Sequence, residues 1–314
     1  MATTIRSFVL ALGVVSAAAT VGFAQPDVAI VAAAGSTATA VQFTDVQAKL
    51  MGTGEFASVT IINAGAVTPS LTELQAYDAV MTWSNLTYQS ADGLGDVLAD
   101  YVDAGGGVVV AVFATSTTTV NRSLGGRFRS GGYEIIVTQG GNTGGAASLG
   151  DVLVPTHPTM EGVTTFIGGT TASRPTNTNV TAHGYKVALW NDGKTLIAAS
   201  TQYANRIDLG MYPPSRDALV SSWDPATDGA RIMANALLAT MGTPTPTCDS
   251  IDYNADGLFP DTQDIADFVS VFAGGSCSND PNCGDIDFNN DGLFPDTLDI
   301  QALLSVFGGG ECLL

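Results

Sequence analysis

Short apolar runs alternate with amphipathic stretches through most of the chain. Val28–Ala32 is five apolar residues in a row, too short for a helix and suited to a strand buried on both faces. Residues 38–51 follow with helical spacing, then Val59–Ile62 as a strand. Residues 71–76 predict a short helix and Ala79–Trp83 another strand. Residues 92–103 place Leu94, Val97, Leu98 and Tyr101 on one helical face, and three glycines at 105–107 stop that helix before a strand over Val108–Phe113. Strands alternating with helices across short turns predict an α/β fold with a parallel sheet flanked by helices.

The stretch from Ser116 to Thr181 is rich in Gly, Thr and Ser, and reads as loops with strands at Tyr133–Val137 and Val163–Ile167. Regular strands return at Lys186–Trp190, Thr195–Ala199 and Arg206–Leu209. A last helix, about 228–240, presents Ile232, Met233, Ala236 and Leu237 as its apolar face. The two prolines within 242–247 make a stiff linker, and a domain boundary is expected there. The domain before it spans residues 25–241. Beyond the linker the pattern repeats. Residues 248–277 align without a gap on residues 283–312, at an offset of 35. In each copy a helical stripe follows an acidic loop: Ile265, Phe268, Val269 and Phe272, then Ile300, Leu303, Leu304 and Phe307. Glycines at 274–275 and 308–310 close the two helices.

Charge sharpens this division. The net charge is −19, and 13 of the 30 acidic residues, but none of the 11 basic ones, lie in 248–314. Acidity concentrated in so short a segment points to a cation site, and an acidic chain is a poor partner for nucleic acid. At the other end Arg6 precedes an apolar run from Phe8 to Phe23 and the small residues Gly22 and Ala24. That is the pattern of a signal peptide, residues 1–24, cleaved after Ala24. The expected mature protein is secreted or on the cell surface, with no membrane segment. Such a compartment permits disulfides, and all four cysteines lie after residue 247.

In the larger domain, the order of elements, the turn His157-Pro158-Thr159-Met160-Glu161-Gly162-Val163 and Asn235-Ala236-Leu237 on the last helix carry a resemblance. They resemble the class I glutamine amidotransferase-like fold, a flavodoxin-like architecture, and in the turn its ThuA-like members. The resemblance implies a cysteine nucleophile after the Val108–Phe113 strand. This chain has Ala114-Thr115-Ser116 there and no cysteine in the domain, so thiolate chemistry is excluded. Ser116 is the conceivable substitute, but G-x-S-x-G is absent. His157 and His183 are the only histidines and lack metal-ligand spacing. Gly35-Ser36-Thr37 lacks the other residues of a phosphate loop and reads as a turn. These departures point away from catalysis.

The repeat carries the sharper chemistry. Each copy contains D-x-N-x-D-G: Asp252, Asn254, Asp256 and Gly257, then Asp287, Asn289, Asp291 and Gly292. Ca²⁺ takes six to eight oxygens, alternate residues of a curling loop turn theirs inward, and glycine permits the bend. The carbonyls of Leu258 and Leu293 are the next candidate ligands, and Asp264 and Asp299 the closing carboxylates, which gives two Ca²⁺ sites. The closing Asp falls at position thirteen of the loop, not twelve, and the extra residue lets Asp261 and Asp296 add a ligand directly or through water. Four cysteines allow three pairings, of which the pseudo-symmetry of the repeat favours two: 248–277 with 283–312, or 248–312 with 277–283.

A loop followed by a helix, twice, with no helix before either loop, is half an EF-hand doubled. Residues 248–314 resemble a dockerin domain, and their Gly-Cys ends and GLFPDT core resemble the GC-type dockerins. The resemblance implies antiparallel helices, hence Cys248–Cys312 and Cys277–Cys283. It also implies a protein–protein attachment role through a cohesin-like or surface partner, with contact made by the exposed sides of the two helices. The rival expectation is an anchored extracellular hydrolase acting on carbohydrate or peptide.

Overall fold

The structure is a computed structural model and describes residues 25–176, 178–241, 248–258, 261–289, 296–310 and 312. The expected signal peptide and the linker 242–247 lie outside them. Two compact units divide the chain, one of Ala24–Thr245 and one containing Pro246–Leu314.

The first unit begins β1 (Asp27–Ala32), α1 (Val41–Met51), β2 (Ser58–Asn63), α2 (Leu71–Leu74), β3 (Ala79–Thr82), α3 (Ala91–Asp103) and β4 (Gly107–Ala111). It continues through α4 (Gly126–Ser130), β5 (Asn142–Thr143), β6 (Leu149–Val152), β7 (Arg174–Pro175), β8 (Gly184–Trp190), β9 (Thr195–Ser200), β10 (Arg206–Leu209) and α5 (Gly229–Thr240). Eight strands form one sheet in the order β2-β1-β3-β4-β10-β9-β8-β6. Both faces are buried, and for that reason the strands read as unbroken apolar runs. Val28, Ile30 and Ala32 of β1 face α1 and α5, while Ala29 and Val31 face the layer that holds α3. Phe43, Val46 and Leu50 of α1 and Ile232, Met233 and Leu237 of α5 fill the first layer; Leu94, Leu98 and Tyr101 of α3 fill the second.

The sheet is mixed, not parallel throughout. β2, β1, β3, β4 and β10 run parallel in the flavodoxin-like order, whereas β9, β8 and β6 are antiparallel to their neighbours. Connection length decides this. A parallel pair needs a crossover of a dozen or more residues, but only Asn191–Lys194 join β8 to β9 and only residues 201–205 join β9 to β10. Gly193, at φ +80°, supplies the left-handed residue of the first turn. In the Gly-rich middle, the expected strands at 133–137 and 163–167 are reduced to isolated bridges, Ile136 to Val180 and Ser148 to Ile167. Side chains replace the ladder there: Asp208 accepts the amides of Ile135 and Ile136 at 3.3 and 2.8 Å.

The second unit holds α6 (Thr262–Phe272) and α7 (Thr297–Phe307). Each starts one turn before its apolar stripe, because Asp261 and Asp296 cap the helix N-terminus and form a capping box with Asp264 and Asp299. The core is small: Tyr253, Phe268, Phe288, Ala302 and Leu303. Tyr253 and Phe288, equivalent in the two copies, meet Phe268 edge-on at ring separations of 5.2 and 5.9 Å. Val269 and Leu304, also equivalent, leave the stripe and stay about half exposed, at 49% and 52%. Cys248 is bonded to Cys312 and Cys277 to Cys283. The first bond closes 64 residues of chain, and on loop-closure entropy alone it disfavours the unfolded state by roughly 4 kcal/mol. A core of this size needs such support.

Candidate functional site

In the first acidic loop the backbone curls around its own carboxylates. Asp252 accepts the amides of Asp256 and Gly257, each at 3.0 Å; Asn254 Oδ1 accepts that of Asp256 at 3.1 Å; Asp256 accepts that of Leu258 at 2.8 Å. Gly257 sits at φ +81°, where only glycine is at ease. Asp264 reaches back from the first turn of α6, taking the amide of Asp261 at 3.0 Å with one oxygen and that of Asn254 at 3.4 Å with the other. Asp252, Asn254, Asp256, Leu258 and Asp264 thus belong to one turn of chain. Asp261 caps α6, accepting the amides of Gln263 and Asp264 at 2.7 and 3.3 Å.

The second copy follows the same plan where it is described. Asp299 accepts the amide of Asp296 at 2.9 Å, and Asp296 accepts that of Leu298 at 2.6 Å. Asn254 and Asn289 are each 1% exposed, Asp264 and Asp299 fully buried. Asp291 and Leu293, the remaining expected ligands with Asp287, Asn289, Asp296 and Asp299, lie outside the described residues. The Asn289 amide also bears on the Asp299 carboxylate, as the equivalent Asn254 amide does on Asp264. Burial, together with the charges of Asp287 and Asp296, pushes the Asp299 carboxyl above its ordinary range. Among the described residues, no three His, Cys, Asp or Glu side chains converge as a metal-holding group.

Asp267 is not singled out by the loop motif. Almost fully buried, it accepts the amide and hydroxyl of Ser278 at 2.8 and 2.5 Å and the Asn254 side chain at 3.2 Å, tying the loop to the segment beyond α6. Burial alone would raise its pKa, but these donors more than offset it and hold the carboxyl below the usual range. One signal for it exists in the sequence: the equivalent residue of the second copy is Ala302, so Asp267 is an acid the repeat does not require. Ala255 carries a cost of its own. It is a non-glycine residue at φ +53°, and the second copy places Asn290 at that position in the sequence. Left-handed backbone costs alanine about 1 kcal/mol more than asparagine or glycine. Ala255→Asn should therefore stabilise this unit by about 0.5–1 kcal/mol in thermal melts.

In the larger unit the residues singled out in the sequence have structural partners. Ser116 is fully buried, its hydroxyl bonded to Thr118 and Asn142 at 3.2 and 2.9 Å. His157 Nδ1 pairs with the Thr159 hydroxyl at 2.7 Å and accepts the Thr159 amide, capping a 3₁₀ turn over Pro158–Met160. Asn235 of α5 donates to the carbonyls of Thr159 and Glu161 at 3.3 and 2.8 Å. The two motifs read in the sequence thus meet and lock the turn to the helix. Burial lowers the proton affinity of His157.

A cleft opens at the carboxyl ends of β3, β4 and β10, lined by Asn85, Phe113, Trp190, Tyr212 and Trp223 among others, with a volume of about 190 Å³. Ligands of open α/β sheets bind at this edge.

No protein-family model matches the chain, and no curated protein matches it. Among solved structures it is similar to a ThuA-like protein from Bacteroides uniformis, at 14% identity and a TM-score of 0.48, over 67% of this chain and 89% of that one. It is also similar to a ThuA-like protein from Parabacteroides merdae, at 11% identity and a TM-score of 0.41, over 69% and 91%. By its own sheet order and helices the first unit is an α/β domain built on a mixed eight-stranded sheet with flanking helices.

Proposed function

We propose that the chain is a secreted or cell-surface attachment protein whose C-terminal unit is a dockerin-type module organised by two Ca²⁺ ions. One observation carries the reading: Asp264 and Asp299 are fully buried in a segment that contains no Lys or Arg. Buried carboxylates need a cation, a metal or several hydrogen-bond donors, and here no side-chain cation exists to pair Asp264 and Asp299, which unlike Asp267 accept no side-chain hydroxyl or amide among the described residues. The residue types and their spacing suit a hard cation. Asp252, Asn254, Asp256, the Leu258 carbonyl and Asp264 would hold one ion, and Asp287, Asn289, Asp291, the Leu293 carbonyl and Asp299 the other. Asp261 and Asp296 have capping duties in the structure, and any share they take in coordination would run through water. Calcium would neutralise the clustered acids and fix the start of each helix.

The docking surface would include Val269 and Leu304, the exposed apolar side chains at equivalent positions of α6 and α7. The partner is a cohesin-like or surface protein. The α/β unit rides on this module without amidotransferase chemistry, since it lacks the thiol and its Ser116 and His157 are engaged elsewhere. Among the described residues no helix is long and apolar enough to cross a membrane. The test is capture of partners from the native secretome by the immobilised full chain. Capture should require Ca²⁺, fail in excess EGTA and fail for the Val269→Asp, Leu304→Asp double variant. Equal capture in EGTA would refute calcium-dependent attachment.

A further inference from the structure

Behind the first acidic loop stands a layer of side chains that the loop motif does not contain. Asn254, 1% exposed, could turn either end of its amide toward the loop, and only the oxygen can hold a cation. Asp267, on the second turn of α6, decides which end it is. A carboxylate only accepts, so the end that faces Asp267 is the NH₂ group, and Asn254 Nδ2 donates to Asp267 Oδ2 at 3.2 Å. Asn254 Oδ1 is left on the loop side, where it accepts the Asp256 amide at 3.1 Å. The same amide donates to Asp252 Oδ1 at 3.0 Å. Oxygens of two expected ligands thus converge on one N–H.

Asp267 is itself held from outside the loop. It accepts the Ser278 amide on Oδ1 at 2.8 Å and the Ser278 hydroxyl on Oδ2 at 2.5 Å. The neighbouring Asn279 donates from Nδ2 to the Asn254 carbonyl at 2.7 Å. Asn254 is therefore gripped at its side chain, through Asp267, and at its backbone, both from Ser278 and Asn279. These two residues lie inside the short loop closed by the Cys277–Cys283 disulfide, whose cysteines are 6 residues apart. Closing so short a loop leaves its residues few alternative conformations. The second copy cannot repeat the device. At the offset of 35, Asp267, Ser278 and Asn279 become Ala302, Leu313 and Leu314, whose side chains neither donate nor accept.

We propose that Asp267 is a positioning residue of the first calcium site, turning the Asn254 oxygen toward the ion and drawing its rigidity from the disulfide-closed loop. This role presupposes that calcium occupies the loops, as proposed above, and it makes the two sites different in construction. The partners that orient a metal ligand are worth roughly ten- to a hundredfold in metal affinity.

The test reads each site alone in the full chain, by calcium titration calorimetry in two backgrounds: Asp299→Ala for the first site and Asp264→Ala for the second. Asp267→Asn keeps the shape of the side chain and turns one acceptor into a donor. It should weaken the first site about tenfold and leave the second within about twofold. Ser278→Ala changes no charge, and by loosening Asp267 it should weaken the first site about two- to threefold. It decides the matter if Asp267→Asn does not fold. Equal losses at both sites would make Asp267 a structural residue only, and a first site unchanged by either substitution would show that Asn254 orients itself; each result overturns the proposal. Absence of bound calcium in the unsubstituted chain would overturn the calcium sites themselves, and this role with them.

Discussion

Asp208→Ala should cost the α/β unit about 3–5 kcal/mol, a large share of the stability of an ordinary domain. Arg206 and Asp208 stand on β10, in the middle of the sheet, with side chains 0% and 2% exposed. Arg206 Nη2 donates to Asp208 at 2.6 Å, Nε donates to the Tyr133 carbonyl at 3.1 Å, and Nη1 donates to the carbonyls of Val108 and Ile207. The Phe128 ring lies 4.7 Å from the guanidinium carbon. Asp208 spends its other oxygen on the amides of Ile135 and Ile136, which no strand satisfies. Removing the carboxylate therefore strands a buried cation and two backbone donors together. Urea melts of the full chain should show the loss in the larger transition. The double variant Arg206→Met, Asp208→Ala should regain part of it, because it no longer buries an unpaired charge. A cost below about 1 kcal/mol for Asp208→Ala would show that the pair is not the anchor of this region.

Withdrawing calcium should have the second largest effect, confined to the C-terminal unit. A ligand that binds only the folded state at 100 to 1,000 times its dissociation constant stabilises by about 2.7–4.1 kcal/mol per site. The core of Tyr253, Phe268, Phe288, Ala302 and Leu303 is too small to offset that loss easily. With calcium gone, buried Asp264 and Asp299 would have to shed charge or open their loops to water. In scanning calorimetry the smaller transition should fall sharply in temperature in excess EGTA. The larger one should stay where it is. Reduction of Cys248–Cys312 should compound the fall, since the bond closes 64 residues.

Much of the α/β unit was legible because its strands are buried on both faces and its helices on one. The runs Val28–Ala32 and Val108–Ala111 and the stripe Leu94, Leu98, Tyr101 are the two sheet layers written in sequence. What hid was connectivity. The four-residue Asn191–Lys194 turn already forbade a parallel crossover, but strand runs alone do not announce direction. The Gly-rich middle hid for another reason: its backbone is satisfied by side chains, such as Asp208 on Ile135 and Ile136, from distant sequence. The carboxyl-edge cleft was illegible for the same cause, since Asn85, Phe113, Trp190 and Tyr212 are neighbours only after the sheet forms.

The loops were legible from spacing because their chemistry is local. Asp252, Asn254, Asp256 and Asp264 lie within thirteen residues and hydrogen-bond one another's backbone. Two details needed the fold: the capping role of Asp261 and Asp296, and the tie from Asp267 to Ser278.

Calcium titration of the full chain by isothermal calorimetry tests the attachment reading at its root. Two bound ions are predicted for the unchanged protein, one after Asp264→Ala and one after Asp299→Ala. No binding of calcium, or a stoichiometry that neither substitution alters, would contradict it.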